Sequence, residues 1–531
     1  MNQQRQWQFL GEPSLPGSMA VPYLLGAKWV YPPPPLFDRI PTHRSLPKTQ
    51  REFPGLGCAL GPLEDELMSE KKSQSDETRG SVEFRTLATE SLSRETFPVG
   101  GQDPEATYQV LSEELLLDGN SKQNLATFCQ TWESNQVHRL MDLAMDKNLI
   151  DKDEYPQTAE IERRCVALLA DLWNAPKGSQ VGCSTIGSSE AAMLGGMAAK
   201  WRWREKRRAA GLSTDRPNMV CGSVQICWIK FARYWDIEMR EIEMSPGRLC
   251  MDPEEVLEKV DENTIFVVPT LGVTYHGLYE DVQAISEALD DLQARTGLDI
   301  PIHVDAASGG FLIPFTRGEH KPWDFQLERV KSINSSGHKF GLAPLGVGWI
   351  LWREKKDLPE ELVFHVSYLG GDMPTFQINF SRPAGQVIAQ YYDFVRLGRS
   401  GYAEIHNGSH EVAQYFCSIL KTLGEFDIIH DGAPEMGIPA VVWTLPEGAN
   451  PGYNLYDLAD RLRMRGWQVP AYPLTGTYKA TPVQRILVKL GFTKEMADLL
   501  LQHVKEALDY FQKHPAHTPL SAEEGGSYCH L

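Results

Sequence analysis

The middle of the chain alternates between stretches with helical spacing of apolar residues and short runs that are apolar almost throughout. Over residues 158–173, Ile161, Cys165 and Leu168 recur at the spacing that places them on one helical face. The run over 264–269 is apolar along nearly its whole length, which is typical of a strand buried on both faces. This alternation predicts a mostly parallel sheet covered by helices.

The same criteria define the other elements. Strands are predicted over 218–221, around Glu241, over 264–269 and 299–305, at 330–333 and over 346–351. Helices are predicted over 109–117, 137–146, 158–173, 192–208, 224–235, 253–260 and 279–295, and a long helix is predicted to begin over 383–397. After about residue 410 the pattern gives helices over 412–423, 455–465 and 494–512 and strands over 440–445 and 485–489. We therefore expect an α/β fold with a large domain followed by a smaller α+β domain.

Composition adds the expected domain boundaries. Residues 1–80 contain a proline run over 32–35 and a charged, serine-rich stretch over 71–80, which predict a disordered extension. Residues 81–122 lead into the ordered chain, 123–409 are expected to form the large domain, and 410–513 the small one. The polar residues 514–531 are expected to form a flexible tail.

Charge and cysteine content narrow the function classes. The chain of 531 residues carries a formal net charge of −18, which argues against nucleic-acid binding. It has no apolar run of transmembrane length and no signal-peptide pattern at its start, so no membrane association is expected. The nine cysteines show neither a Cys-x-x-Cys pair nor zinc-ligand spacing. We expect reduced thiols, no metal and a cytoplasmic location.

One lysine stands in an unusual setting, Ser332-Ile-Asn-Ser-Ser-Gly-His-Lys-Phe-Gly341. Strands are predicted on both sides, and burying a lysine there is unfavourable unless the amine is paired or has a covalent role. A desolvated lysine amine can form a Schiff base with an aldehyde, and pyridoxal phosphate is the commonest such aldehyde. Lys339 is therefore a candidate cofactor anchor, and a surface-loop lysine is the alternative for this stretch taken alone.

Two further stretches supply what such a cofactor needs. Thr185-Ile-Gly-Ser-Ser-Glu190 opens a predicted helix, whose start offers backbone N–H groups and hydroxyls to a phosphate. Asp305 ends a predicted buried strand, and an anion there keeps the pyridine nitrogen protonated. Taken singly, a plain helix cap and an ion-pair partner are the alternatives. Together with Lys339, these residues indicate a pyridoxal phosphate site.

Five longer motifs carry a resemblance to a known family. They are His303-Val-Asp-Ala-Ala-Ser-Gly-Gly310, Ser336-Gly-His-Lys-Phe-Gly341, Asn379-Phe-Ser-Arg-Pro-Ala-Gly385, Thr127-Phe-Cys-Gln-Thr131 and Gly187-Ser-Ser-Glu-Ala191. From about residue 85 to about 512 the chain resembles the glutamate decarboxylases, which are group II decarboxylases of pyridoxal phosphate fold type I. The resemblance implies the PLP-dependent transferase-like fold, with pyridoxal 5'-phosphate as the cofactor.

The resemblance also implies roles for individual residues. Catalytic roles fall on Lys339, Asp305, Gln225 and Thr274. Cofactor binding falls on Ser188, Ser189, Gln225, Asp305, Ala307, His338, Lys339 and, from the neighbouring subunit, Ser381. The substrate pocket falls on Thr127, Phe128, Asn148, Asp151 and Arg485. A guanidinium suits a substrate carboxylate because it offers paired donors in one plane. One departure is Ile229, where the relatives carry a polar residue.

The implied reaction is the decarboxylation of L-glutamate to 4-aminobutanoate and carbon dioxide. Two alternatives remain open: a decarboxylase of another acidic amino acid such as aspartate, and a pyridoxal phosphate-binding pseudoenzyme. The family further implies a homodimer or higher homo-oligomer with shared active sites, on which residues 81–122 pack.

The end of the chain bears on regulation. Plant relatives bind calmodulin through a basic segment, but residues 518–531 contain Glu523 and Glu524 and no lysine or tryptophan, so no calmodulin binding is expected. His530 is a candidate autoinhibitory residue. Imidazole changes charge near pH ~6.5, and the neutral ring could close the active site as the pH rises. A frayed terminus is the alternative.

Overall fold

The computed structural model describes residues 93, 95–368, 372–514, 519–521 and 523–524. The extension expected over 1–80 and the candidate residue His530 lie outside these ranges. Contacts divide the chain into Met1–Thr107 and Tyr108–Leu531, and every feature of the site below belongs to the second unit. The boundaries expected near residues 122 and 409 stay predictions. No helix in the described ranges combines the length and apolar character needed to cross a membrane.

A seven-stranded sheet forms the centre of the second unit. Its strands are β1 Val181–Thr185, β2 Asn218–Cys221, β3 Glu238–Glu241, β4 Thr264–Val268, β5 Ile302–Asp305, β6 Val330–Ser335 and β7 Gly348–Trp352. Their order across the sheet is β1-β7-β6-β5-β4-β2-β3. The five strands from β6 to β3 pair in parallel, and β7 runs antiparallel to β1 and β6. The predicted mostly parallel sheet is confirmed.

The C-terminal part adds a separate, antiparallel sheet. Its strands are β10 Asp427–His430, β11 Ala440–Thr444, β12 Ala471–Pro473 and β13 Pro482–Leu487. They are ordered β10-β11-β13-β12, and all three pairings are antiparallel. A two-stranded ribbon, β8 Phe364–Val366 and β9 Met373–Thr375, precedes this region in the chain. With the helices around it, the four-stranded sheet forms the expected smaller α+β part.

Ten α-helices lie in the described ranges. They are Pro104–Leu115, Asn135–Leu143, Pro156–Leu172, Ser188–Ala209, Ile226–Tyr234, Pro253–Lys259, Val282–Thr296, Gly385–Lys421, Leu455–Arg463 and Lys494–Lys513. Polar side chains accept backbone N–H groups at several starts, as Asp281 does from Ala284 and Thr493 from Met496. The bounds agree with the predicted helices to within a few residues, except at the longest one.

The long helix Gly385–Lys421 covers both the helix predicted to begin over 383–397 and the helix predicted over 412–423. It continues through the glycine-containing stretch between them, where only Gly398 leaves helical geometry, with φ 56° and ψ −170°. Tyr402, His406 and His410 are buried along this stretch. Gly398 therefore kinks the chain directly after Leu397, and burial of these residues stabilises the helix beyond the kink.

Candidate active site

A cavity of about 640 Å³ lies at the carboxyl ends of β5 and β6. Ligands of parallel sheets bind at this edge. Asp305 ends β5, Lys339 follows β6, and the helix Ser188–Ala209 begins beside both. Among the described residues, the predicted site residues that line the cavity are Thr127, Phe128, Ser188, Ser189, Gln225, Thr274, Asp305, Ala307, His338 and Lys339.

Asp305 is held by three donors. The indole Nε1–H of Trp228 donates to its Oδ2 at 2.8 Å, and the amide Nδ2 of Asn334 donates to its Oδ1 at 3.0 Å. The backbone N–H of Ala307 also donates to Oδ1, at 3.1 Å. The residue is only 3% exposed. Donors aimed at both oxygens satisfy the carboxylate and fix its orientation in the cavity.

Behind Asn334, His303 completes this network. Its Nε2 lies 2.7 Å from Asn334 Oδ1, and its Nδ1 lies 2.7 Å from the hydroxyl of Ser332. Burial lowers the pKa of His303 to about 4, so the ring is neutral at neutral pH. Because the Asn334 oxygen can only accept, Nε2 carries the ring proton and Nδ1 accepts from Ser332. The ring thereby orients the amide that holds Asp305.

The start of the helix Ser188–Ala209 forms a second wall. A Cβ at Gly348 would lie 2.4 Å from the carbonyl carbon of Gly187 and 2.6 Å from the amide nitrogen of Ser188. Glycine on β7 therefore permits the close approach of strand and helix start. The hydroxyl of Ser336 donates to Ser188 Oγ at 2.7 Å. Free N–H groups at a helix start suit an anion.

His338 and Lys339 lie side by side at this wall. Burial and the neighbouring ammonium lower the pKa of His338 to about 4, and its Nδ1 accepts the backbone N–H of Val347 at 3.3 Å. Burial lowers the pKa of Lys339 below its ordinary value, and the negative charge of Asp305 opposes that shift. A lysine whose pKa is lowered has a larger neutral, nucleophilic fraction at neutral pH.

Phe128 lies between two cations. Lys339 Nζ is 4.8 Å from the centre of its ring, and Arg485 Cζ is 4.5 Å from the same centre. Arg485 does not itself line the cavity among the described residues. Its guanidinium donates to the backbone carbonyls of Thr274 and, at 3.0 Å, of Ala126. Its Nε is buried without a partner among the described residues.

Asn148, Asp151 and Ser381 form a separate group in this chain and do not line the cavity among the described residues. Asn148 Nδ2 donates to Ser381 Oγ at 3.4 Å, and the backbone N–H of Asp151 donates to the Asn148 carbonyl at 3.1 Å. Ile229 also lies off the cavity, on the helix Ile226–Tyr234. The assignment of Ser381 to a neighbouring subunit stays a prediction.

Several residues that build the site were not expected from the sequence. Trp228 and Asn334 hold Asp305, and Lys489 donates to the Cys129 carbonyl at 2.8 Å. Trp228 lies three residues after Gln225, and Asn334 lies in the stretch that contains Lys339, so both were within reach of motif reasoning. The sequence around Lys489 does not indicate its role, because its partner is 360 residues away in the chain.

The cavity fits pyridoxal phosphate by its donors and acceptors. Its lining includes a helix start with two serines, the carboxylate of Asp305 and the amine of Lys339. The hydroxyl of Thr270 also lines the cavity, where its Oγ1 is buried without a partner among the described residues. An orphaned hydroxyl of this kind is satisfied by a polar ligand.

Comparison with known proteins gives the same picture. The family model described as the pyridoxal-dependent decarboxylase conserved domain matches residues 101–446. A glutamate decarboxylase of Aliivibrio fischeri is 59% identical over 426 residues, which cover 80% of this chain and 91% of that protein. A glutamate decarboxylase of Lactococcus lactis subsp. cremoris is 49% identical over 415 residues, covering 77% of this chain and 88% of that protein.

Solved structures support the fold. The glutamate decarboxylase of Lactobacillus brevis superposes with a TM-score of 0.76 at 43% identity, covering 81% of this chain and 97% of that one. A sphingosine-1-phosphate lyase of Burkholderia pseudomallei superposes with a TM-score of 0.67 at 21% identity, covering 81% and 95%. The second likeness bears on the fold alone.

Proposed function

The chain belongs to the family of pyridoxal-dependent decarboxylases, and we propose that it acts as a glutamate decarboxylase. It converts L-glutamate into 4-aminobutanoate and carbon dioxide with pyridoxal phosphate as cofactor. The observation that carries this function is one cavity lined by Lys339, Asp305 and the helix start at Ser188, in a chain 59% identical to a glutamate decarboxylase.

At the cofactor end, each residue has a defined task. Bound pyridoxal phosphate supplies an electron sink for the pair left on the α-carbon when carbon dioxide departs. The amine of Lys339 would anchor the cofactor through its aldehyde and would carry a proton to the α-carbon. Asp305 would hold the proton on the pyridine nitrogen and stabilise that charge electrostatically. Ser188 and Ser189 would bind the phosphate, with His338 beside them.

At the substrate end, Thr127 and Phe128 would receive the distal carboxylate. Thr127 Oγ1 accepts the backbone N–H of Cys129 at 3.2 Å, which leaves its hydroxyl hydrogen available to a carboxylate. The Arg485 guanidinium behind Phe128 makes this end of the cavity electropositive. It also keeps one donor, Nε, without a partner among the described residues. An acidic side chain on the substrate is therefore favoured over a neutral one.

We further propose that the active unit is a homodimer or higher homo-oligomer in which Ser381 completes the partner's cofactor site. The separation of Ser381 from the cavity of its own chain supports this arrangement. Activity would then fall on dilution in step with subunit dissociation. A fully active monomer, with sedimentation measured under the assay conditions, would contradict it. The cytoplasmic location remains a prediction.

The experiment that tests the function measures carbon dioxide release from glutamate and from aspartate side by side, with the Lys339→Ala variant as the control. Release from glutamate at a kcat/KM well above that for aspartate supports the proposal. A preference for aspartate would favour the other acidic amino acid decarboxylase. A protein that binds pyridoxal phosphate but releases carbon dioxide from neither amino acid would be the pseudoenzyme.

A further inference from the structure

Lys489 is a buried cation that the reaction described above does not use. It lies two residues beyond β13 and is only 7% exposed. Its Nζ donates to the backbone carbonyl of Cys129 at 2.8 Å. A carbonyl orients an ammonium but does not neutralise it, and burial lowers the pKa of Lys489 to about 8. A buried lysine with a carbonyl as its hydrogen-bond acceptor carries a desolvation penalty, which calls for a compensating role.

The partner of Lys489 belongs to the segment 125–130, which contains the proposed substrate residues Thr127 and Phe128. This segment forms no helix or strand, and its backbone is held from outside. The Leu125 carbonyl accepts the backbone N–H of Leu487 at 2.9 Å, and the Gln130 N–H donates to the His338 carbonyl at 2.8 Å. The position of the segment therefore depends on groups remote in sequence.

Two cations from one part of the chain hold the backbone on either side of Thr127 and Phe128. Arg485, on β13, donates to the Ala126 carbonyl at 3.0 Å, before Thr127 and Phe128. Lys489 donates to the Cys129 carbonyl, directly after them. Residues four apart along an extended chain project to the same side, so both long side chains reach the same segment. Without Lys489, the Cys129 carbonyl loses this donor, and the backbone after Phe128 keeps the hydrogen bond from Gln130 to His338.

We propose that Lys489 is a positioning residue for substrate selection: by holding the Cys129 carbonyl, it sets Thr127 and Phe128 at the distance that suits a five-carbon dicarboxylate. The inference rests on the proposed function, because it takes these two residues as the receptor of the distal carboxylate. Lys489 does not line the cavity among the described residues, so its loss changes substrate affinity and chain-length preference while cofactor binding is kept.

The test compares three variants with the wild-type holoenzyme. Lys489→Met removes the ammonium at similar length, Lys489→Arg keeps a charged donor, and Lys505→Met removes an exposed lysine from the helix Lys494–Lys513 as a matched control. For each protein, kcat and KM for glutamate, the Kd of pyridoxal phosphate, and the Kd values of glutarate and succinate are measured. These two dicarboxylates have five and four carbons and lack the reacting amine.

We expect Lys489→Met to raise KM for glutamate and Kd for glutarate about tenfold, with kcat and cofactor affinity within about twofold of wild type. The preference for glutarate over succinate should shrink, and Lys489→Arg should restore most of it. Unchanged KM and glutarate affinity in Lys489→Met would overturn the proposal. So would equal losses for glutarate, succinate and cofactor, which mark a general structural role.

A second variant and a second outcome cover the cases in which the first variant does not fold or the enzyme is inactive on glutamate. If Lys489→Met fails to fold, Lys489→Gln, which is uncharged and shorter, must shift KM in the same direction with the cofactor retained, and an unchanged KM contradicts the inference. If the wild-type enzyme releases no carbon dioxide from glutamate, the proposed function fails. In that case the ratio of glutarate to succinate affinity still reports on the tether by itself.

Discussion

The two ends of the cavity are built in different ways. At the cofactor end, Asp305 and Lys339 stand at the ends of neighbouring strands, and the donors to Asp305 come from a helix and a strand of the same sheet region. At the substrate end, Thr127 and Phe128 lie in a segment without regular structure, held by side chains from the region of β13. The cofactor end is built on the seven-stranded sheet, whereas the substrate end is held by side chains from the region of β13 in the four-stranded sheet.

This difference assigns catalysis and cofactor binding to one set of residues and substrate selection to another. A carboxylate fixed by three donors keeps its orientation when the neighbouring loop moves. A loop held by two long cationic side chains can be shifted by substitutions that leave the cofactor residues untouched. Changes at the cofactor end are therefore expected to act on turnover and cofactor binding, and changes at the substrate end on KM and chain-length preference.

The largest effect is expected at Lys339. Lys339→Ala removes both the covalent anchor and a proton carrier, so kcat should fall by at least about 10³-fold. Mass spectrometry after borohydride reduction should find no cofactor attached to the variant chain, while the wild type carries one. Attachment that persists in Lys339→Ala would show that another lysine is the anchor.

The next effect is expected at Asp305. Asp305→Asn keeps the shape but removes the negative charge, and loss of one such electrostatic contact costs about 10²–10³-fold in kcat. The affinity for pyridoxal phosphate should fall, whereas glutarate binding at saturating cofactor should change little. A normal kcat in this variant would mean that the pyridine nitrogen is not held by Asp305.

A smaller effect is expected at Arg485. Arg485→Lys keeps a positive charge but loses the two-pronged hold on the Thr274 and Ala126 carbonyls. A hydrogen bond from a charged donor contributes about 1.5–3 kcal/mol, so KM for glutamate should rise about 10- to 100-fold. Steady-state kinetics with cofactor titration will show whether kcat and cofactor affinity stay near wild type, as the separation of the two ends requires.

The pH dependence of stability sharpens the comparison further. The folded-state pKa of His303 is lowered from 6.5 to about 4. The unfolded chain therefore binds a proton that the folded chain does not, and the stabilisation present above pH 6.5 is lost as the pH falls toward 4. His303→Gln keeps a donor and an acceptor but cannot titrate. Its free energy of unfolding should depend on pH less steeply, by up to about one proton, than that of wild type.

Chemical denaturation at several pH values between 6.5 and 4 measures this slope. His138→Gln is the matched control, since His138 is exposed on the helix Asn135–Leu143. The control should keep the wild-type slope. Equal slopes for wild type and His303→Gln would show that His303 does not stay neutral in the folded protein.

The smallest effect is expected from the tail. If His530 closes the site as the pH rises, deleting residues 528–531 should extend activity toward neutral pH and leave activity at acidic pH unchanged. His530→Ala should have the same effect. Wild-type pH profiles in both variants would exclude an autoinhibitory role for His530.

The sequence predicts the cofactor end of the cavity better than the substrate end. Lys339, Asp305 and Ser188 each lie at the end of a periodic element, so the local pattern and the motifs are enough to indicate their chemistry. The surroundings of Arg485 are not predictable in that way. Its role as a backbone tether arises only because β13 lies beside the segment 125–130, in a contact between residues 359 positions apart.

The fold shows the same limit. Strand β1, Val181–Thr185, was not predicted, because Gly182 and two hydroxyl residues interrupt its apolar pattern. Its pairing with β7 and the close packing at Gly182 stabilise it as a strand. The helix predicted to begin over 383–397 is confirmed up to the kink at Gly398, but the helix beyond the kink begins well before the predicted residue 412, because Tyr402 and its neighbours are buried. Tertiary packing decides where local signals are weak.

The most direct test of the two-ended cavity measures two affinities in two variants. Asp305→Asn and Arg485→Lys are prepared side by side, and the Kd of pyridoxal phosphate and the Kd of glutarate at saturating cofactor are determined for each. The account predicts that Asp305→Asn weakens cofactor binding at least about tenfold and leaves glutarate within about threefold, and that Arg485→Lys does the reverse. Parallel losses of both affinities in both variants would contradict it.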